Sequence, residues 1–238
     1  MKKIYVPADN CNTWNVGNSE NIFGIELECS SCSSFGNFSL SYQYPIWRWE
    51  VDIPYDWKYG QWDRIRLYPI HIRIFVIKCT CGEEYRIYPS FVLKGTTLTL
   101  AALIFIAFVY ESSELTWRDI PEKFCTEEDR IAHSTLYKAI HGLGKSILVQ
   151  EEKVREGIKK LQAVYLPQNE APLPGRPRTK ALYEHTREQE AAVHRILLPI
   201  SYHCMAEPLF AKVFYAYLRP LRMILSSLDP PIWKIYNK

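Results

Sequence analysis

Two pairs of closely spaced cysteines restrict what the front of this chain can fold into more than any other feature. Two residues separate Cys29 from Cys32, and one residue separates Cys79 from Cys81, with sequence rich in aromatic and β-branched residues between the pairs. The chain has seven cysteines. Residues 1–10 carry two lysines without an apolar segment behind them, so we expect no secretory signal. Because cytosolic thiols are kept reduced, metal binding or burial, not disulfides, should explain the pairs.

The chemistry of the pairs favours a metal. Zinc sites of the structural type hold the ion in a tetrahedron of four thiolates at about 2.3 Å, and two tight turns brought together by hairpin strands supply that geometry. The arrangement resembles a zinc ribbon, which implies Zn²⁺ as cofactor, although its second half is CxC instead of CxxC. His71 or Cys11 would be the substitute for one of the cysteine ligands. In the competing interpretation, the cysteines are free thiols buried as small hydrophobic residues. The predicted metal ligands are Cys29, Cys32, Cys79 and Cys81.

Composition changes along the chain in a way that predicts an α+β fold. From residue 22 to 89 short runs of aromatic and β-branched residues are broken by Pro, Gly and Asp, which indicates a small antiparallel sheet. His71, Arg73 and Lys78 alternate with Ile70, Ile72, Ile74 and Val76, as in a strand with one dry face. The predicted organisation is a zinc-ribbon-like β domain (1–95), an all-helical helix-turn-helix domain (96–166), a proline-rich basic linker or arm (167–180) and C-terminal helices (181–238).

The second region has the periodicity of helices. Residues 98–110 are apolar on nearly every side, which predicts a central buried helix, and the run is too short for a transmembrane span, which needs about 20 residues. A stripe that includes Leu136 and Ile147 continues to Val154 beyond a loosened stretch at Gly142 and Gly144. We therefore expect two helices here, not one.

Residues 116–124 and 134–141 have the pattern of a helix-turn-helix. The first helix is predicted to begin at Asp119, with Pro121 in its first turn and Glu122 completing a capping box. Ser134 is predicted to cap the second helix, whose polar residues off the apolar stripe would contact bases or phosphates. The long acidic stretch between the helices departs from the motif, and a plain helical bundle is the alternative. The predicted DNA-contacting residues of this segment are Ser134, Thr135, Tyr137, Lys138, His141 and Lys145.

A second set of DNA contacts is predicted in the arm. Residues 168–238 hold ten Lys and Arg against six Asp and Glu, although the formal net charge of the whole chain is only +3. Residues 174–180 resemble the extended arms that lie in the minor groove in AT-hooks and DNA invertases. Any basic linker would look similar. The predicted arm contacts are Arg176, Arg178 and Lys180.

Taken in order, the features from roughly residue 25 to 165 resemble one family. They are the CxxC, the strand 70–77 entering Cys79, the phrase at 88–93, the apolar helix and the stretch 134–144. This poorly characterised bacterial family looks like transposase N-terminal regions, joins a zinc ribbon to a homeodomain-like helix-turn-helix and is associated with mobile elements. Residues 134–138 also look like the start of the recognition helix in DNA invertases and resolvases. The resemblance implies DNA binding at element ends or operators.

We find no catalytic motif in the sequence and predict a non-catalytic, cytoplasmic, nucleoid-associated DNA-binding protein. It would be associated with transposition or act as a transcriptional regulator, with double-stranded DNA and a homodimer or transposition partner as its partners. A protein-interaction scaffold using Phe210, Phe214, Tyr215 and Tyr217 is one alternative. A ribbon that binds single-stranded RNA is the other, and its stacking residues would be Trp47, Trp49, Trp57 or Trp62.

Overall fold

The computed structural model describes residues 2–6, 8, 14–15, 27–93, 96–165, 188–197 and 210–226. The chain forms two compact units. The first unit comprises Met1–Arg48 and Ile70–Val92, and the second comprises Trp49–Pro69 and Leu93–Lys238. Residues 49–69, which composition places in the β domain, therefore belong with the helices. None of the described helices has both the length and the apolar character needed to cross a membrane.

The four strands among the described residues form one mixed sheet. They are β1 (Lys2–Val6), β2 (Phe38–Asp52), β3 (Arg66–Cys79) and β4 (Glu84–Pro89), in the order β1-β4-β3-β2. β3 and β4 are antiparallel, with Phe75 opposite Ile87, but β1 runs parallel to β4. The prediction of an antiparallel sheet is thus wrong for β1. No tight turn joins β1 to its neighbour, so the hairpin constraint that sets antiparallel direction does not apply.

The alternation predicted for β3 is present in the first half of the predicted segment. His71 and Arg73 are exposed, Ile70 is half-buried, and Ile72, Ile74 and Val76 are buried. Lys78 is exposed too, although it lies on the same face as Val76. However, Phe75 and Ile77 on the other face are buried as well, so this part of the strand has two dry faces. Trp14 packs edge-on against Phe75, and its indole N–H donates to the Arg73 carbonyl at 2.6 Å.

The second unit is built around the apolar helix, as the sequence predicts. Helix α1 (Leu100–Ser112) is buried at every residue except Tyr110, and the Thr99 side chain caps it by accepting from the Ala102 N–H. Phe105 contacts the rings of Trp57, Phe124 and Phe214. The other described helices are α2 (Asp119–Phe124), α3 (His133–Val149), α4 (Glu151–Tyr165), α5 (residues 188–197) and α6 (Phe210–Ser226).

Two separate helices follow α2, but the break between them is at Gln150. The loosened stretch predicted at Gly142 and Gly144 is wrong, because α3 continues through both residues. A Cβ atom at Gly144 would lie 2.3 Å from the Gln189 carbonyl oxygen. Gly144 therefore serves the close approach of the α5 backbone, and not a helix end.

This contact makes Gly144→Ala destabilising. Alanine favours a helix over glycine, but here the new methyl group would clash with backbone, so we expect the free energy of unfolding to fall by about 1–3 kcal/mol. Gly157→Ala in α4 is the comparison, because its Cβ would meet side-chain atoms of Ile224, the nearest at 2.8 Å, instead of backbone. Urea unfolding measures both. Equal stability of the two variants would contradict the close approach.

Glu50 is a half-buried carboxyl group of the second unit. β2 continues into this unit, where Trp49 donates to the Thr97 carbonyl at 2.8 Å and accepts from the Thr99 N–H at 2.9 Å. The Glu50 carboxyl accepts from Thr99 Oγ1 and from the Val51 N–H, both at 2.9 Å. Burial, opposed by these two hydrogen bonds, raises the pKa of Glu50 to about 7.

The raised pKa predicts that stability falls as pH rises. Between the usual carboxyl pKa and about 7, the folded chain keeps Glu50 protonated while the unfolded chain ionises it. The unfolded state then binds fewer protons, so the free energy of unfolding decreases through this window, by about 2–3 kcal/mol in all. Urea midpoints at pH 5 and pH 8 measure the change. Glu50→Gln should remove this part of the pH dependence, and a variant with the parent's dependence would contradict the assignment.

Candidate functional site

The first cysteine pair lies in a turn that its own backbone closes. Ser33 donates to the Cys29 carbonyl at 2.7 Å, and the Cys29 N–H donates to the Ser34 carbonyl at 2.9 Å. Ser33 takes a positive φ of 54°, which lets the chain reverse directly after Cys32. The turn therefore directs Cys29 and Cys32 to one place.

The second pair lies in the turn between β3 and β4. Cys79 ends β3, its carbonyl accepts from the Gly82 N–H at 2.8 Å, and its N–H donates to the Glu83 carbonyl at 2.9 Å. Gly82 has a φ of +95°, a conformation that favours glycine. The Thr80 N–H donates to the Asn37 carbonyl at 3.2 Å, which connects this turn to the residue before β2.

The two turns bring all four predicted ligands together. Their Sγ atoms lie within 4.8 Å of one another, and the Cys29–Cys81 and Cys32–Cys79 pairs are each 3.6 Å apart. Tetrahedral zinc with bonds of about 2.3 Å requires sulfur atoms about 3.8 Å apart, so the four thiols fit a single metal ion. The substitute ligand His71 is not in the group, and its ring lies against that of Trp47, with centroids 3.4 Å apart and planes tilted by 50°. Cys11, the other substitute, lies outside the described residues.

A tyrosine supports the cysteine cluster, and sequence reasoning missed it. The Tyr85 hydroxyl lies 3.3 Å from Cys29 Sγ and accepts from the Ser30 N–H at 3.1 Å. The hydrogen bond from Tyr85 lowers the pKa of the Cys29 thiol to about 6. At Cys81 the backbone of Glu83 lowers the thiol pKa, but burial and the neighbouring thiols raise it to about 12. Adjacent thiols lose all their protons readily when a cation is bound among them.

Helix α2 begins at Asp119 with Pro121 in its first turn, as predicted, but its cap differs. Thr116 donates its N–H to Asp119 Oδ2 at 2.7 Å, and the Asp119 N–H donates to Thr116 Oγ1 at 3.4 Å. These reciprocal bonds are a capping box one turn earlier than predicted. Glu122 instead forms an exposed ion pair with Arg130 at 2.8 Å.

Helix α3 begins before Ser134, so the prediction that Ser134 caps it is wrong. Ala132 is the extended N-cap residue, and its carbonyl accepts from the Thr135 N–H at 2.9 Å. Ser134 therefore lies inside the first turn with its side chain exposed. Tyr137, Lys138 and Lys145 are exposed too, and Thr135 is half-buried.

His141 is in a different environment from the one predicted. It is 7% exposed and packs with the apolar stripe, so it is not available to a groove. Its Nδ1 donates to the Tyr137 carbonyl at 2.8 Å, and its Nε2 lies 3.3 Å from Glu190 Oε1 on α5. Its polar atoms thus hold α5 against α3. The partner is 49 residues away in the sequence, which is why helical spacing did not indicate it.

The predicted arm contacts Arg176, Arg178 and Lys180 lie outside the described residues. Comparisons with protein-family models, with curated proteins and with solved structures find no match to this chain. Two features of the described residues bear on its chemistry: the four-thiol cluster in the first unit and the exposed polar face of α3 in the second.

Proposed function

We propose that this chain is a non-catalytic DNA-binding protein, with Zn²⁺ at the four-cysteine cluster and α3 contacting the major groove of duplex DNA. Four thiolates form the closed ligand set of structural zinc, which has no open position for a substrate. The ion would stabilise the first unit and take no part in a reaction. The transposition-associated or regulatory role implied by the resemblance belongs to this proposal.

One observation carries the DNA-binding part: a polar face on α3 that packing leaves free. At 100° per residue, Ser134, Lys138 and Lys145 fall within about 40° of one another around the helix axis, and Tyr137 lies about 60° to one side. All four side chains are exposed, Tyr137 by 40%. Leu136, Ile140 and Leu143 are buried and anchor the opposite side of the helix. A recognition helix in the major groove has the same arrangement, with its apolar side packed against the protein and its polar side toward the DNA.

The distribution of charge favours phosphate contacts along the helix and not in the loop before it. The exposed loop before α3 carries Glu127, Glu128 and Asp129, which repel phosphate. We therefore assign the phosphate contacts to Lys138 and Lys145, and base-edge contacts to Ser134 and Tyr137. Arg176, Arg178 and Lys180 would reach the adjacent minor groove.

Each alternative function loses most of the residues on which it was based. Phe210, Phe214 and Tyr217, the surface suggested for a protein partner, are buried in the core of the second unit, which leaves Tyr215 exposed. Of the tryptophans suggested for stacking on RNA, Trp57 is fully buried, Trp49 and Trp62 are half-buried against the same core, and Trp47 is exposed. Duplex binding by α3 is therefore the function that the exposed residues favour.

The test measures binding to a mixed-sequence 30-base-pair duplex by fluorescence anisotropy over a range of NaCl concentrations. For a double Lys138→Ala and Lys145→Ala variant we expect binding about tenfold weaker and a log-log salt slope shallower by about two. The matched control replaces the exposed Lys159 and Lys160 of α4 by alanine, with the same loss of charge. A double α3 variant that binds like the parent, or a parent without salt-sensitive binding, would overturn the proposal.

A further inference from the structure

One face of the sheet in the first unit carries a group of tyrosines and cations that the proposed function does not use. In the parallel pairing of β1 and β4, Lys3 lies beside Arg86 and Tyr5 beside Tyr88. Side chains alternate along a strand, so these four project from the same face. On this face the hydroxyls of Tyr44 and Tyr88 lie within hydrogen-bonding distance of each other. The positive charge of Arg48 is close enough to Tyr5 to act against the rise of its pKa. We name as the tyrosine face the residues Lys3, Tyr5, Tyr44, Arg48, Arg86 and Tyr88.

The aromatic rings of this face are arranged next to one another. Tyr5 and Tyr88 stack with ring centroids 5.5 Å apart and an interplanar angle of 28°. The hydroxyls of Tyr88 and Tyr44 are 3.4 Å apart, and the ring of the exposed Tyr42 lies 6.3 Å from that of Tyr44. Burial first, then the neighbouring tyrosines, raise the pKa of Tyr5 and of Tyr44 to about 12. The phenols therefore stay neutral and keep their hydroxyl donors.

Positive charge lies among these rings. The Lys3 Nζ is 5.6 Å from the centroid of the Tyr88 ring, and the Arg86 Cζ is 6.0 Å from that of Tyr44. Arg48 is half-buried and donates from Nη1 to the Trp47 carbonyl at 2.7 Å. Its Nε is buried and, within the described part of the chain, has neither a hydrogen-bond partner nor a carboxylate.

Among the described strand residues of the first unit, Glu84 is the carboxylate on this face. It lies two residues before Arg86 on β4 and is paired in register with Lys78. The tyrosine face thus brings three cations together with three neighbouring phenol rings, and its acidic residue lies at one end, beside a lysine. An anionic ligand with flat rings is the chemical complement of this surface.

We propose that the tyrosine face binds single-stranded nucleic acid, with bases stacked on the tyrosines and phosphates held by Lys3, Arg48 and Arg86. Base stacking on an aromatic side chain is tolerant of sequence and contributes about 1–3 kcal/mol per base. It needs unpaired bases, because a duplex hides the faces of its bases. The site lies in the first unit and does not depend on the duplex binding proposed for α3.

The test uses the full chain and fluorescein-labelled dT12, with binding followed by anisotropy at low salt. We expect Tyr44→Leu and Arg86→Gln each to weaken binding by about tenfold, since each removes a stacking surface or a phosphate contact. Arg73→Gln is the matched control: Arg73 is exposed, and its position on β3 alternates with that of Val76, the partner of Arg86, so it belongs to the opposite face. A thermal melt of each variant verifies that the first unit is folded.

The outcomes separate this site from the others. Binding of rU12 instead of dT12, lost in the same two variants, supports the same face with RNA as its ligand. The double Lys138→Ala and Lys145→Ala variant should bind dT12 like the parent, even where it has lost the duplex. The proposal is overturned if the folded parent binds neither oligonucleotide, if both face variants bind like the parent, or if Arg73→Gln weakens binding as much as they do.

Discussion

Cys29→Ser is expected to abolish metal binding and to unfold much of the first unit. Cys29 is fully buried, and its Sγ is one of four that lie within 4.8 Å of one another. Structural zinc contributes folding free energy directly, so losing one ligand should lower the free energy of unfolding by about 5 kcal/mol or more. Urea unfolding, together with metal content from elemental analysis, measures both effects. A strong chelator added to the parent chain should reproduce the loss.

Cys125→Ser is the matched control for this prediction. Cys125 is half-buried, packs against the core of the second unit and is outside the cysteine cluster. The same replacement of sulfur by oxygen should therefore leave the metal content unchanged and lower the free energy of unfolding by about 1 kcal/mol or less. If Cys29→Ser keeps its metal and resembles Cys125→Ser in stability, the four-thiol metal site is wrong.

Trp57→Ala is expected to have the largest effect on the second unit. Trp57 is fully buried, and its ring centroid lies 4.6 Å from that of Phe210 and 5.3 Å from that of Trp62. Its indole N–H donates to the Gln61 carbonyl at 2.9 Å. Truncation leaves a large cavity and removes this hydrogen bond, so the free energy of unfolding should fall by about 3–5 kcal/mol.

Trp47→Ala, at a tryptophan that is 58% exposed, provides the comparison for Trp57. Because the ring already lies largely in water, its removal should change stability by about 0.5 kcal/mol or less. Chemical denaturation followed by circular dichroism compares the two variants. Similar losses in both would show that Trp57 does not anchor the core of the second unit.

Local patterns in the sequence predicted the features that depend on local chemistry. The spacing of the cysteine pairs predicted the cluster even though its second half is CxC, because each pair needs only its own tight turn. The apolar run at 98–110 predicted a buried central helix, since no side of it suits water. In β3 the exposed positions of His71 and Arg73 followed from alternation.

Features that depend on distant partners were not predicted. The parallel direction of β1 is set by pairing with β4, and nothing within residues 2–6 encodes it. Helical spacing puts His141 off the apolar stripe and so predicts a groove contact, whereas its partner Glu190 lies 49 residues later. A glycine in a helical pattern indicates a break when its neighbours are unknown, and at Gly144 the neighbour is the backbone of Gln189. The cap formed by Thr116 and Asp119 is local, and the T-x-x-D pattern is its signal in the sequence.

Metal content and ligand type, measured on the purified full chain, test the central claim most directly. Native mass spectrometry gives the stoichiometry, and X-ray absorption at the zinc edge gives the ligands. We predict one Zn²⁺ per chain with four sulfur ligands at about 2.3 Å. A chain that carries no metal, with Cys29, Cys32, Cys79 and Cys81 all reacting freely with a thiol reagent in the folded state, would contradict it.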